Sequence, residues 1–442
     1  MKKSVLFHAL LVIAISALVS CGGAQVAAPP SGVTTRVLAS QSVSSPASAA
    51  GLILIDGWID TLARGGVATG NSPGLMAMSP DRTTVLAFDS SSNRVYVVNT
   101  KTETAAGSIQ LPGPTTSMAI PLPSAAYAAV PTAPLTGSSP GAVVAMNLTA
   151  GGVTATISVP NAQTVVSNAA GTQLLAFSNG AQTVNSNYVT VISPLLLDTG
   201  NPVTVTVPGF DSPVFGIFSP DGSVAYILNC GAQCGGTQAS VQILNFGTTP
   251  PTAGALVPVN GATVAFLSGS TLYVAGLGTP TGPLCASIPS AAPTAATYCG
   301  TLDIVNLNTM TDPYYNNPAA EIAITNGYHN RIDLSNNGQL FVGSYGCTNV
   351  GNVNNVQGQG EVRGCLSIYN TNTGAVVIPP DNGDVTGLQG FSSRNVEYVA
   401  EGGNLRVYDT TIDSLLLNTD FIPTGTIVIT GKIIDVKAID FF

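Results

Sequence analysis

Six times along this 442-residue chain a short apolar run ends in a serine turn, and two alternating strands follow. The second of them closes on Asn or Asp with threonines. The turns are Ser79-Pro80-Asp81-Arg82, Ser167-Asn168-Ala169-Ala170-Gly171, Ser219-Pro220-Asp221-Gly222, Ser268-Gly269-Ser270, Ser335-Asn336-Asn337-Gly338 and Ser392-Ser393-Arg394-Asn395. Their serines stand 88, 52, 49, 67 and 57 residues apart. The longest gap is two units of 44, with its missing turn at Pro121-Leu122-Pro123-Ser124. Self-similarity at this period marks an array of small units, each unable to bury its own apolar faces.

The units read as strands. Val85-Leu86-Ala87-Phe88 and Arg94-Val95-Tyr96-Val97-Val98-Asn99-Thr100 alternate with period two, as strands packed between neighbouring sheets do. The expectation is all-β: a β-propeller of seven four-stranded antiparallel blades, whose radial closure hides sheet edges. The blades fall at about 74–111, 115–159, 163–207, 213–258, 262–324, 328–378 and 385–430. Closure needs a strand shared between the ends of the chain. Leu52-Ile53-Leu54-Ile55-Asp56-Gly57-Trp58 reads like the third and fourth strands of a unit, and Lys432-Ile433-Ile434-Asp435-Val436 like one more. An eighth, shared blade is the alternative to seven.

The best-aligned strands are Tyr188-Val-Thr-Val-Ile, Ser240-Val-Gln-Ile-Leu-Asn, Thr301-Leu-Asp-Ile-Val-Asn, Cys365-Leu-Ser-Ile-Tyr-Asn and Asn404-Leu-Arg-Val-Tyr-Asp. With the Ser-Pro-Asp-Gly turns they resemble the YVTN-type, lactonase-like propeller repeat over residues 51–442. The WD40 pattern is disfavoured, because Trp58 is the only tryptophan and no Gly-His…Trp-Asp pair occurs.

Residues 1–20 read as an export leader: Lys2 and Lys3 precede an almost wholly apolar run from Val5 to Val19. The run ends at Leu18-Val19-Ser20-Cys21, which resembles the lipobox of bacterial lipoproteins. That resemblance implies a lipoprotein signal peptide, acylation of Cys21 and retention on a membrane by lipid. Gly22 in place of Asp implies the outer membrane or cell surface where the cell has two membranes. Residues 21–50 are rich in Ala, Ser and Pro with Arg36 as their one charge, so they read as a lipidated flexible tether. The acyl chains are then the expected membrane contact.

Charged residues make up 8% of the chain, so its surface must be built from Ser, Thr, Asn, Gln and Gly. Acidic residues outnumber basic ones 22 to 13, with no basic cluster, which argues against nucleic acid as a partner. Beyond Cys21, six cysteines fall as three pairs, each between the second and third strands of a blade. An exported chain permits disulfides, and this placement favours Cys230–Cys234, Cys285–Cys299 and Cys347–Cys365 among the fifteen pairings. No Cys-x-x-Cys occurs, so no metal site is expected. In a meander these loops share a face with the connections entering each first strand. One face is therefore elaborated and stapled, and it is the candidate binding surface.

Chemistry is sparse. After the leader the only histidine is His329, in Gly327-Tyr328-His329-Asn330-Arg331, where blade six begins. The stretch loosely resembles the Arg/His entrance to first strands of lactonase-like propellers, at one blade only and in altered order. No nucleophile elbow, phosphate loop or EF-hand pattern is present. Tyr328, His329, Arg331, Glu361 and Arg363 are the candidate ligand-binding residues; no catalytic residue, cofactor or metal is assigned. The reading is a lipid-anchored, exported, non-enzymatic binding scaffold for an envelope protein or glycan. The rival is a lactonase-like hydrolase or lyase using His329 and Arg331 at the channel mouth.

Overall fold

A computed structural model describes residues 30–42, 51–135, 139–179, 186–193, 203–278, 300–347, 365–379, 383–412, 414–415, 426–427 and 431–440. Cys21, Glu361, Arg363, Cys285 and Cys299 lie outside these residues. The described chain is all β apart from one short 3-10 turn, Gly231–Cys234.

Eight antiparallel sheets follow one another, seven of four strands and one of five. Their inner strands are Pro73–Met78, Ser117–Leu122, Thr164–Ser167, Pro213–Phe218, Val264–Ser268, Tyr328–Leu334, Val385–Gly390 and Lys432–Asp440. Each inner strand neighbours the next, and the last returns to the first, so the blades close into a ring around a channel. Blades one to seven start and end where the repeat placed them. The ring holds eight blades rather than seven, so the alternative of an eighth, shared blade is the one the structure shows.

The eighth blade is assembled from both ends of the chain. Lys432–Asp440 is its inner strand, Thr35–Ser42 the second, Leu52–Asp56 the third and Thr61–Val67 the outer one. The second strand lies inside the stretch read as tether, so the propeller begins near Thr35 rather than at residue 51. Small and polar residues disguise it, yet six of its eight residues are buried between neighbouring sheets. Its single charge is also buried: the Arg36 guanidinium meets Glu103 of blade one at 2.6 Å and donates to the carbonyl of Thr100.

Within a blade burial falls from the middle strands outward. Thr84–Asp89 is buried at five of six positions, whereas the outer strand Thr104–Gln110 is mostly exposed and, apart from Ile109 and Gln110, made of Thr, Ala, Gly and Ser. The core therefore lies between blades, in layers such as Leu86, Phe88, Val95 and Ile109 against Ala126, Ala128 and Val144. Alanine-rich strands such as Ala125–Val130 let adjacent sheets pack closely.

The serine turns share one chemistry. Ser79 donates to Asp81 at 2.6 Å and accepts the amide of Thr84 at 3.0 Å. Ser219 with Asp221 and Val224, and Ser335 with Asn337 and Gln339, repeat the arrangement. The Asn and Asp residues that close third strands cap the next turn: the side-chain oxygens of Asn99, Asn147, Asn306 and Asn370 accept amides two and three residues on. Such side chains reproduce a backbone turn, which is why the repeat was visible at all.

Candidate functional site

The channel opens into a cavity of about 480 Å³ at the end of the ring where inner strands begin. Six blades contribute, through residues such as Leu75, Ser117, Thr164, Phe215, Val264 and Arg331. This is the face that also carries the loops between second and third strands. Two of the expected disulfides are formed there, Cys230–Cys234 and Cys347–Cys365. The stapled face and the channel mouth coincide.

Blade six supplies a larger share of the described mouth than any other blade. Its first two strands pair Tyr328 with Tyr345 and His329 with Ser344, then slip by one residue so that Arg331 meets Gly343. A bulge of this kind re-aims side chains. Tyr328, Asn330, Arg331 and Ile332 all line the cavity, whereas His329 does not. Tyr328 and Tyr345 lean together with ring centroids 5.4 Å apart. Arg331 reaches across to blade seven, where its Nε donates to the carbonyl of Thr386 at 2.6 Å.

His329 is fully buried, and its Nε2 lies 2.8 Å from the carbonyl oxygen of Thr325. Burial lowers its pKa to about 4 against the raising effect of that bond, so the ring is neutral at ordinary pH. Its neighbour Gly300 is required: a Cβ there would stand 2.5 Å from the imidazole Cε1. His329 is a packed core histidine, not a group at the channel mouth. A hydrolase using it there loses its base, because the bulge turns the ring between blades.

Of the residues singled out in the sequence, Tyr328 and Arg331 line the mouth, and the rest of its described rim was not singled out. Hydroxyls and amides from other blades both line the mouth and lace the ring together. Thr116 donates to the carbonyl of Gln163 at 2.6 Å, Ser117 accepts the amide of Val165 at 3.2 Å, and Thr263 donates to the carbonyl of His329 at 2.8 Å. The available signal was faint: polar residues at the start of first strands in several units.

Among the described residues that line the cavity, Arg331 is the one that carries a charge, and no carboxyl, imidazole or thiol is among them. Burial pushes the Tyr328 hydroxyl far up, and burial also raises Tyr345, with the Asp384 charge adding to it and Arg331 opposing. Neither phenol serves as a base near neutral pH. Among the described residues no three His, Cys, Asp or Glu side chains gather as metal ligands would. The mouth can bind a polar or anionic group through one guanidinium, several hydroxyls and a pair of aromatic faces.

No family model matches the chain, and no curated protein matches it significantly. Solved structures do match. A dihydro-heme d1 dehydrogenase, NirN, in complex with DHE aligns with TM-score 0.58 at 9% identity, over 88% of this chain and 76% of its own. Hydrazine synthase of Kuenenia stuttgartiensis aligns with TM-score 0.52 at 14% identity, over 77% of this chain and 96% of its own. The periplasmic gluconolactonase of Pseudomonas aeruginosa aligns with TM-score 0.46 at 13% identity, over 92% and 99%. At such identities the likeness establishes the propeller fold and nothing finer. Among the described residues no helix is long and apolar enough to cross a membrane.

Proposed function

We propose that this chain is an exported, lipid-anchored propeller that binds a ligand at its channel mouth without transforming it. The ligand is an anionic group protruding from an envelope protein or glycan. The observation that carries this reading is the cavity itself: about 480 Å³, with the Arg331 guanidinium as the one charge among its described lining residues. A carboxylate or sulfate on a sugar or peptide would meet Arg331, while a sugar ring or peptide plane lies along Tyr328 and Tyr345. Export and acylation at Cys21 are carried by the leader and by the lipobox resemblance. Disulfides at Cys230–Cys234 and Cys347–Cys365 suit an oxidising compartment.

The test is titration of the mature, oxidised chain with uronic-acid oligosaccharides and acidic peptides, beside Arg331→Gln. A member of the panel is expected to bind, with affinity about ten- to a hundredfold weaker for Arg331→Gln, since a charge-assisted hydrogen bond contributes about 1.5–3 kcal/mol. Binding indifferent to Arg331, or turnover of a lactone panel, would sink this reading.

A further inference from the structure

The closing blade carries a turn that exposes what a turn normally hides. Trp58, the only tryptophan of the chain, is 68% exposed and Ile59 is 51% exposed, between the third and outer strands. Leu62, at the start of the outer strand, is also exposed. A turn that merely reverses the chain has no need of these residues. This one is built to hold them still. Asp60 is buried and takes both Arg394 nitrogens, at 2.7 and 2.8 Å, together with the hydroxyl of Tyr398. Arg394 also donates to the carbonyl of Gly57, and Asp56 accepts the amide of Trp58 at 2.9 Å. A Cβ on Gly57 would stand 2.5 Å from the Phe391 ring. In blade seven another apolar side chain, Ile412, is exposed in a turn whose Thr410 amide bonds the carbonyl of Asn395, the residue after Arg394.

The chain enters the propeller at this same place. The Gly57 amide donates to the carbonyl of Thr35 at 2.8 Å, and Ser31 is fixed by its amide and hydroxyl to the Glu103 carboxylate at 2.8 and 2.7 Å. These contacts lie on the serine-turn face, opposite the channel mouth. Cys21 precedes Ser31 by only ten residues. Ten residues reach at most about 35 Å when fully extended. A lipid on Cys21 therefore holds the serine-turn face beside the bilayer, with Trp58 at the point of attachment.

We propose that the Trp58–Ile59 turn is an interfacial lipid contact. It seats in the headgroup layer of the membrane that holds Cys21, stands the propeller on its serine-turn face, and points the channel mouth away from the bilayer. Tryptophan favours the headgroup layer, where its ring meets both apolar and polar surroundings. A few side chains bind a membrane weakly alone, and the short tether makes the contact effective by raising local concentration. This inference rests on the lipid-anchored reading and adds a second membrane contact beyond the acyl chains.

The experiment uses Trp58 as its own reporter. The full chain, extracted from membranes, is reconstituted into phosphatidylethanolamine–phosphatidylglycerol vesicles with and without brominated acyl chains, while the mass of the Cys21 peptide reports acylation. In a parallel arm, the mature chain with Cys21→Ser and an N-terminal histidine tag is held on nickel-chelating lipid in the same vesicles. Tryptophan emission is expected to shift to the blue, to be quenched by the brominated lipid and to lose severalfold sensitivity to acrylamide, in both arms. Ile59→Asp, an exposed position, should reverse these changes severalfold without altering the melting temperature. Emission unquenched by lipid in the tagged arm overturns the contact, whatever Cys21 carries. A blue shift that appears without lipid and grows with protein concentration also overturns it, because a second copy then covers the turn. Quenching in the tagged arm with an unmodified Cys21 supports the contact and removes the acylation reading alone.

Discussion

Glu397 is fully buried in blade seven and faces Asp333 of blade six's inner strand. Burial first, and then the Asp333 charge, hold the Glu397 carboxyl well above its usual range, and burial raises Asp333 too. Asp333 keeps the amide of Gly390 at 2.9 Å, which ties the two blades. Such a folded state holds its proton more tightly than the unfolded chain, whose glutamate releases it at about pH 4.3. Above that pH the folded state binds more protons, so stability falls as pH rises toward the folded-state pKa. The melting temperature is expected to decline from pH 5 to pH 8, and Glu397→Gln to flatten that slope, as calorimetry across this range will test. Carboxylates such as Asp89 act oppositely. Burial works against Asp89, but the hydroxyls of Ser92 and Ser91 outweigh it and lower its pKa, so its contribution disappears as pH falls below the usual carboxylate range. None of this was legible in the sequence: Glu397 follows a serine turn like any surface residue, and only the neighbouring blade buries it.

At the scale of the element, the third-strand endings and serine turns were readable because their chemistry is local. A serine reaching two residues along to Asp or Asn acts before any blade packs. The bulge at the start of blade six was not readable. Tyr328, His329 and Arg331 looked like neighbours at one mouth, and the slip in pairing separates them, sending His329 between blades while Arg331 stays in the channel. The second strand of blade six ends at Tyr345, two residues before Cys347. The Cys347–Cys365 disulfide closes a separation of 18 residues beside that tyrosine, and in the chain-entropy account a loop of this length contributes about 3 kcal/mol. Replacing both cysteines by serine should lower unfolding stability by about that amount in urea titrations. It should also weaken ligand binding at the mouth, through a looser Tyr345. Unchanged binding with the stability loss would confine the staple to a structural role.

At the scale of the whole molecule, closure is the decisive event. Lys432–Asp440 pairs with Thr35–Ser42 in register from Thr35 opposite Asp440, and the closing blade is clasped on one side by Arg36–Glu103 and on the other by Arg394–Asp60. Deleting residues 1–50 removes the second strand and strands Lys432–Asp440 from its partner. A chain starting at residue 51 should therefore melt tens of degrees lower than one starting at residue 30, or fail to fold, given that a blade's interfaces are shared with both neighbours. Equal melting temperatures for the two chains would show that the ring does not depend on this strand.

By itself the sequence determined the β class, the repeating unit, the position of seven blades, and the stapled face, because turn capping, two-residue alternation and cysteine placement are all local. It also exposed the candidates Tyr328 and Arg331. The tertiary structure alone decided the eighth blade, the burial of His329 and the polar rim of the channel. A strand such as Thr35–Ser42 carries too few large apolar residues to announce itself, and it becomes a strand only when sheets on both sides and the far end of the chain close around it.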